Sequence, residues 1–347
     1  MMQYEKTHNE LANWWLNKEQ RSPLLFMTAL KEHHLPIADT ENLHKYWTDV
    51  DFIMERDMQR IDNTNYYGVA LPYHYINFSS SAFPCTLGGE IEYVSKNTVW
   101  SHPVFEDIQD IKSVRPSKEN IAHYTVMETM SRSAKQAKGH HYLGTWSLGG
   151  VFDAISGLYS SERLLVDMIS NPAAVKEAAE HIQKIWLDEY EKMNSLVEKT
   201  GNKGYICDWL KIWSPGRTYP VQEEFAAMIS PEMFAEFCLP LLERQIEKID
   251  YPMFLLDGSA MVNHLEMIIN IDKLKAIKWQ PDADNKRLSQ SYDVIKKILG
   301  AGKSCLLTAD ADEIEPLIDE VGPNGLLIEV RDVSNHQAKE MLDKYSL

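Results

Sequence analysis

Short apolar runs bounded by polar or turn-forming residues recur along most of the chain. The seven clearest are YGVALPYHYINF (67–78), HYLGTWSL (141–148), GYICDWLKIW (204–213), YPMFLLDGS (251–259), AIKWQPD (276–282), SCLLTAD (304–310) and GLLIEVRD (325–332). Each is short enough for a buried strand. An eighth strand is expected within 90–105. Most of these runs are separated by amphipathic helical stretches, among them 162–199, 230–249 and 291–299. In the second, Ser230 is a good helix cap, Pro231 sits at the first helical position and Glu232 supports the first turn. Residues 1–60 read as helical. Trp14, Trp15 and Leu16 form one apolar cluster there, 24–30 forms another, and 46–61 alternates apolar and charged residues at helical spacing.

Strand–helix alternation implies parallel pairing through right-handed crossovers. About eight parallel strands in a chain of 347 residues predict an α/β fold, a TIM-like (β/α)8 barrel. The barrel is expected over 67–347, behind an N-terminal helical extension over 1–60, as one domain. An open doubly wound sheet is the alternative. It is weakened because SLGGVFD (147–153) has two adjacent glycines without the GxGxxG spacing of a phosphate loop.

Composition narrows the function. Hydrophobic residues make up 44% and charged residues 25%, as in globular proteins. With 35 basic and 51 acidic residues the net charge is −16, which disfavours nucleic acid and membrane surfaces as partners. A small substrate remains open, even an anionic one, because a local pocket can be positive. No apolar run is long enough for a transmembrane helix, and the charged N-terminus does not resemble a signal peptide. Cys85, Cys207, Cys238 and Cys305 are scattered without a CxxC pair, so the reading is a cytoplasmic enzyme with reduced thiols.

In such a barrel the active site lies at the C-terminal ends of the strands. Those ends carry His74 and Asn77, Trp146 and Ser147, Asp208 and Trp213, Asp257, Trp279 with Gln280 and Asp282, Asp310, and Glu329 with Arg331. Carboxylates at an apolar mouth can act as general acids or bases, or simply cap the next helix. Asp257 is the leading candidate, because it ends an apolar strand and Gly258 permits a sharp turn. Its role would be to anchor substrate or shuttle a proton, with Asp208 in support. His264 opens the next helix and is a candidate for the same pocket. In 213–234, Arg217 offers a fork for a carboxylate or phosphate, or pairs with Glu223 or Glu224, while Trp213 and Tyr219 offer flat faces. His140 and His141 would face opposite sides of a strand. No HxxxH, HxH or CxxC spacing supports zinc, so no metal ligand is assigned and the cofactor stays unknown.

The run PMFLLDGSAMVNHLEMIINIDKLKAIKWQPD (252–282) resembles the uroporphyrinogen decarboxylase (URO-D) superfamily, in a bacterial branch of unassigned function. WSPGRTYPVQEEFAAMISPEMFAEF (213–237) and FPCTLGGEIEYVSKNTVW (83–100) resemble the same branch. The resemblance covers about residue 67 to the C-terminus and implies a TIM-like barrel. It implies one of two chemistries: decarboxylation of tetrapyrrole acetate arms without a cofactor, or methyl transfer from a corrinoid protein to a zinc-bound thiol. The sequence departs from both patterns. The decarboxylases' arginine-rich motif is absent from 21–33, and Asn77 is the nearest polar residue where they carry an aspartate. The methyltransferases' His-x-Cys is replaced by Leu255-Leu256-Asp257. The preferred expectation is methyl transfer linked to a corrinoid or folate carrier, with a corrinoid protein as partner. Substrate-binding candidates are Arg217, Trp146, Trp213, Tyr219, Trp279, Gln280, His74, Asn77 and Glu329; catalytic candidates are Asp257, Asp208 and His264. Alternatives are tetrapyrrole decarboxylation and a non-catalytic subunit of a methyl-transfer complex. A homodimer is also entertained.

Overall fold

The computed structural model describes residues 4–282 and 287–345. Its strands, in chain order, are β1 (Leu24–Leu30), β2 (Thr64–Gly68), β3 (Tyr73–His74), β4 (Glu90–Tyr93), β5 (Val99–His102), β6 (Tyr142–Leu143) and β7 (Tyr205–Cys207). They continue with β8 (Ile212–Ser214), β9 (Thr218–Val221), β10 (Tyr251–Asp257), β11 (Ala276–Gln280), β12 (Ser304–Ala309) and β13 (Leu326–Val330).

Seven strands form the central sheet in the order β2-β1-β13-β12-β11-β10-β9. All its pairings are parallel except that of β1 with β2. Beside it lie a parallel pair, β3 with β6, and antiparallel pairs β4–β5 and β7–β8.

The pleat gives each strand two destinations. Leu24, Phe26, Met253, Ala276, Leu306 and Leu327 pack together on one face. The alternate residues Leu25, Met27, Phe254, Leu256, Ile277, Leu307 and Ile328 join the larger core beneath the helices. Buried on both faces, these strands carry the near-continuous apolar runs seen in the sequence.

Four expectations change. The run 24–30 is a strand in the sheet, not part of a helical extension. The region 90–105 holds the β4–β5 hairpin, apart from the central sheet. The run 204–213 is the β7–β8 hairpin, and β9 follows inside a segment read as a loop. The stretch 162–199 is two helices, Ser161–Ser170 and Pro172–Lys199, because Pro172 supplies a fixed φ but no N–H and so starts a helix afresh. The cap at Ser230 is present: its hydroxyl accepts from the Met233 N–H at 3.3 Å. That helix passes through a π turn at Phe234–Cys238 just before Pro240, whose missing N–H interrupts the regular ladder.

The helix Glu5–Trp15 seals the N-terminal ends of the strands. Trp14 donates its indole N–H to Gly325 O at 2.9 Å, and Trp15 donates to Trp213 O at 2.8 Å. The opposite rim, where β9 to β13 end, is left open for the site.

Candidate functional site

At that rim a cavity of about 360 Å³ is lined by Tyr75, Asn77, Ser79, Ser80, Asn97, Thr98, Ser147, Trp209, Gln222, Glu224, Leu255 and Asp257. Asp257 ends β10 as expected, and Gly258 turns the chain at φ 81°. The Gly258 N–H donates to Gln280 O at 2.8 Å, holding the turn against β11. Burial raises the Asp257 carboxyl above its ordinary range; Lys278 opposes the rise and Asp282 adds to it.

Glu224 follows β9 and faces the same cavity. It is exposed at the rim. Even so, the protein packed about its carboxyl, followed by Asp153 and Asp257, raises it to about 7. Water at the rim offsets much of what that shift costs in stability.

Asp208 lies behind the cavity wall. It begins the tight turn after β7 at φ 34°, a strained position that Asp tolerates better than most residues. It is fully buried, and neither carboxyl oxygen has a hydrogen-bond partner. Burial pushes its carboxyl well above the ordinary range, although the Trp209 N–H and the Ser147 hydroxyl lie near enough to pull weakly the other way.

Two further cavities adjoin. One, of about 310 Å³, shares Ser80, Gln222 and Glu224 and reaches Asp153 and Gly149. The other, of about 220 Å³, shares Tyr75 and Asn77 and holds Arg56, Asp57, Arg60 and His74. His74 therefore sits beside the mouth cavity rather than in it. Its ring bonds Asp57 at 3.3 Å and Ser133 at 2.9 Å. From Ser133 the chain of contacts continues through His141 and His140 to Asp62 at the surface. Adjacent His140 and His141 thus meet each other rather than facing apart. Burial, then His74 and His140, lowers His141 to about 3.

Several expected site residues stand elsewhere. Arg217 precedes β9, at the end of the sheet away from the mouth, and pairs with Glu191 and Glu198 rather than with Glu223 or Glu224. Trp213 is at that end too, because β8 runs back down; it stacks on His8 at 4.2 Å. Trp279 and Tyr219 occupy outward positions of their strands and pack under the helices. Tyr219 lies edge-on to Trp186 at 5.2 Å. Trp146 is in the same core, its carbonyl accepting from the Tyr219 hydroxyl at 3.3 Å. His264 stacks on Phe234 at 4.5 Å and bonds Ala226 O at 2.8 Å, so it braces the loop after β9. Gln280 is level with Asp257 in the register, but its known contact is through its backbone. Glu329 pairs with Lys211 at 2.6 Å, a level below the rim.

Three residues were missed. Glu224 looked like one acid of a polar loop. Lys278 is buried in the interior, level with Leu255, and donates to the Thr308 hydroxyl at 2.5 Å. Burial lowers it to about 8. A lysine in the middle of an apolar strand (AIKWQ) was the available signal. Lys211, the partner of Glu329, was equally visible inside DWLKIW.

Among the described residues, no three His, Cys, Asp or Glu side chains group as metal ligands. All four cysteines are buried, and none lines the mouth cavity. The donor set of a zinc-activated thiol does not fit this site. Among the described residues, no helix is long and apolar enough to cross a membrane.

The geometry defines a class: a mixed α/β protein with a mostly parallel central sheet and a carboxyl-bearing cavity at the strand C-termini. No protein family and no curated protein matches the chain by sequence. In three dimensions the chain is similar to a methyltransferase from Methanosarcina mazei, with a TM-score of 0.63 and 11% identity, over 98% of this chain and 97% of that chain. At that identity the similarity is one of fold.

Proposed function

We propose that the protein is an enzyme of the URO-D superfamily that moves a methyl group to or from a small polar substrate at the strand C-termini. The observation that carries this reading is the convergence of Asp257 and Glu224 on one cavity, where burial raises the proton affinity of both and Asp257 adds to the rise at Glu224. The similarity to a methyltransferase fold supports the reaction class. We further take the sheet to close through β3, β6 and β7 into a single TIM-like barrel domain. The main-chain bond from Val69 to Leu25 at 2.8 Å and the β3–β6 pairing support that closure.

All three runs that resemble the superfamily contribute to the cavity. Residues 83–100 supply Asn97 and Thr98, residues 213–237 supply Gln222 and Glu224, and residues 252–282 supply Leu255 and Asp257. A corrinoid or folate carrier would supply or accept the methyl group. The chain's own part is to hold the substrate and manage one proton. An acceptor gives up a proton as its bond to methyl forms; a donor amine takes one up after losing methyl. A carboxyl titrating near neutrality suits either direction. Tetrapyrrole decarboxylation is disfavoured, since a polycarboxylate would meet Asp257 and Glu224 with no basic side chain among the described lining residues.

The test is transfer from methylcobalamin to a panel of small thiols and amines, followed by the absorbance of the demethylated corrinoid. Glu224→Gln should lower kcat/KM by about a hundredfold and remove the pH dependence near neutrality. Conversion of uroporphyrinogen to coproporphyrinogen, without methyl transfer, would overturn the reading.

A further inference from the structure

An anionic ligand is repelled by most of the surface of a protein with a net charge of −16. The cavity of about 220 Å³ beside the mouth breaks that pattern, with two arginines, Arg56 and Arg60, and a single acid, Asp57, on its walls. Arg56 is 4% exposed and grips both carboxyl oxygens of Asp57, Nε to Oδ1 at 2.8 Å and Nη2 to Oδ2 at 3.1 Å. His74 adds a further contact to that carboxyl at 3.3 Å. Burial works to raise the Asp57 carboxyl, yet the bonds from His74 and Arg56 outweigh it and hold the group at about 2. Asp57 is therefore ionised and cancels the charge of Arg56. Arg60 has no such partner. Among the described residues its half-exposed guanidinium makes two long contacts, 3.5 Å to Asp57 Oδ1 and 3.3 Å to the Tyr46 hydroxyl, and these use two of its five N–H donors. Asp57 is already held by the fork of Arg56, so it does not give Arg60 a forked pair of its own.

We propose that this cavity takes the carboxylate of a small organic acid, held by a forked pair of bonds from Arg60 and by the Tyr66 hydroxyl, with the rest of the molecule passing Tyr75 and Asn77 into the mouth cavity. Tyr75 and Asn77 line both cavities. Guanidinium and carboxylate match in shape as well as charge, which makes the forked pair one of the stronger polar contacts. Tyr66 is on the same wall; burial, then Tyr73, raises its hydroxyl above the ordinary range, so it stays protonated and able to donate. Arg56, Asp57 and Arg60 together carry one net positive charge, which suits one carboxylate. The near-dianion of a phosphate ester would bring a second charge beside Asp57. The inference rests on the mouth cavity being the reaction site proposed above, and it names the end of the substrate that does not react. Binding is read without turnover, so failure of methyl transfer with carboxylate binding intact would reject the reaction class alone.

The experiment is calorimetric or ligand-observed NMR titration of the full chain with sodium butanoate, against 1-butanol, butylammonium chloride and ethyl phosphate. Butanoate is expected to bind about tenfold or more tightly than each of the three. Arg60→Gln should weaken it by about tenfold, and Arg60→Lys by less, because the charge is kept without the fork. Tyr66→Phe keeps the ring and should weaken it by about threefold, so the test survives a folding defect at position 60. Arg244→Gln, in the outer helical layer, should leave it unchanged. Equal or tighter binding of butanol, butylammonium or ethyl phosphate, no binding of butanoate at tens of millimolar, or full affinity in a folded Arg60→Gln or Tyr66→Phe variant would overturn the proposal.

Discussion

Asp208 joins features that seldom occur together: complete burial, a positive φ and two unpaired carboxyl oxygens. Burial raises its carboxyl well above the ordinary range, so it holds a proton at pH values where the unfolded chain has lost it. Between those two limits the folded state binds more protons than the unfolded one. Its contribution to stability therefore falls as pH rises. Asn has nearly the same shape and cannot ionise. Asp208→Asn should gain on the wild type as pH goes from about 5 to about 8, where one tenfold change in proton affinity corresponds to about 1.4 kcal/mol. Urea midpoints of both proteins at the two pH values measure this. A difference that stayed constant, or moved in favour of the wild type, would show that Asp208 is ionised in the folded protein. Asp153, Glu223, Glu224 and Asp257 titrate in both proteins, so their contributions largely cancel in the comparison.

At the level of elements, the loop after β9 is fastened to the helix Val151–Tyr159 by two carboxylates, Glu223 buried and Asp153 half-buried. Glu223 accepts the N–H of Val151 at 2.8 Å and of Phe152 at 3.0 Å, satisfying donors that a helix start leaves free. Asp153 reaches back to the N–H of Phe225 at 2.7 Å and of Gly150 at 3.0 Å. Burial pushes both carboxyls up against the pull of these amides. This clamp explains the paired glycines in SLGG, which have no phosphate-binding spacing. A Cβ on Gly150 would lie 2.5 Å from Gln222 O and 2.5 Å from a Glu223 carboxyl oxygen. Gly150→Ala should therefore cost about 1–3 kcal/mol and displace Gln222 and Glu224 from the cavity. Denaturant unfolding and the methyl-transfer assay applied to the same variant test the two halves of that expectation.

The elements also show what the sequence could and could not reveal. Strands β10 to β13 were legible because an apolar run buried on both faces leaves a plain mark, and Asp257 was legible as the acid that ends one. The alternation within those strands was less visible. With both faces apolar, nothing in AIKWQ says that Trp279 turns to the helices and Lys278 to the interior. Arg217 was placed on the wrong rim because the β7–β8 reversal looks like one continuous strand in GYICDWLKIW. That reversal puts Trp213 level with Ile206, below Asp208, and carries Arg217 on past the start of β7. Glu224 became a site residue only through the tertiary placement of β9 against β10.

For the whole molecule, the two ends of the sheet divide the labour. The mouth collects acids that are poorly satisfied, while the far end is closed by aromatic residues whose polar groups are paired. Trp15 is 1% exposed, lies edge-on to Trp14 at 5.0 Å, and donates to Trp213 O. Trp15→Ala should destabilise the fold by about 3–5 kcal/mol, through lost burial and the cavity left behind. Trp15→Phe keeps much of the ring but leaves the Trp213 carbonyl short of a donor, so about 1–3 kcal/mol is expected. Neither change touches the mouth, so kcat/KM for methyl transfer under native conditions should match the wild type in both. Chemical unfolding with a parallel methyl-transfer assay separates the two functions of the scaffold. An Ala variant as stable as the wild type would mean that the helix Glu5–Trp15 does not seal the sheet. A variant stable enough to remain folded yet deficient in methyl transfer would mean that the two ends are coupled through the strands between them.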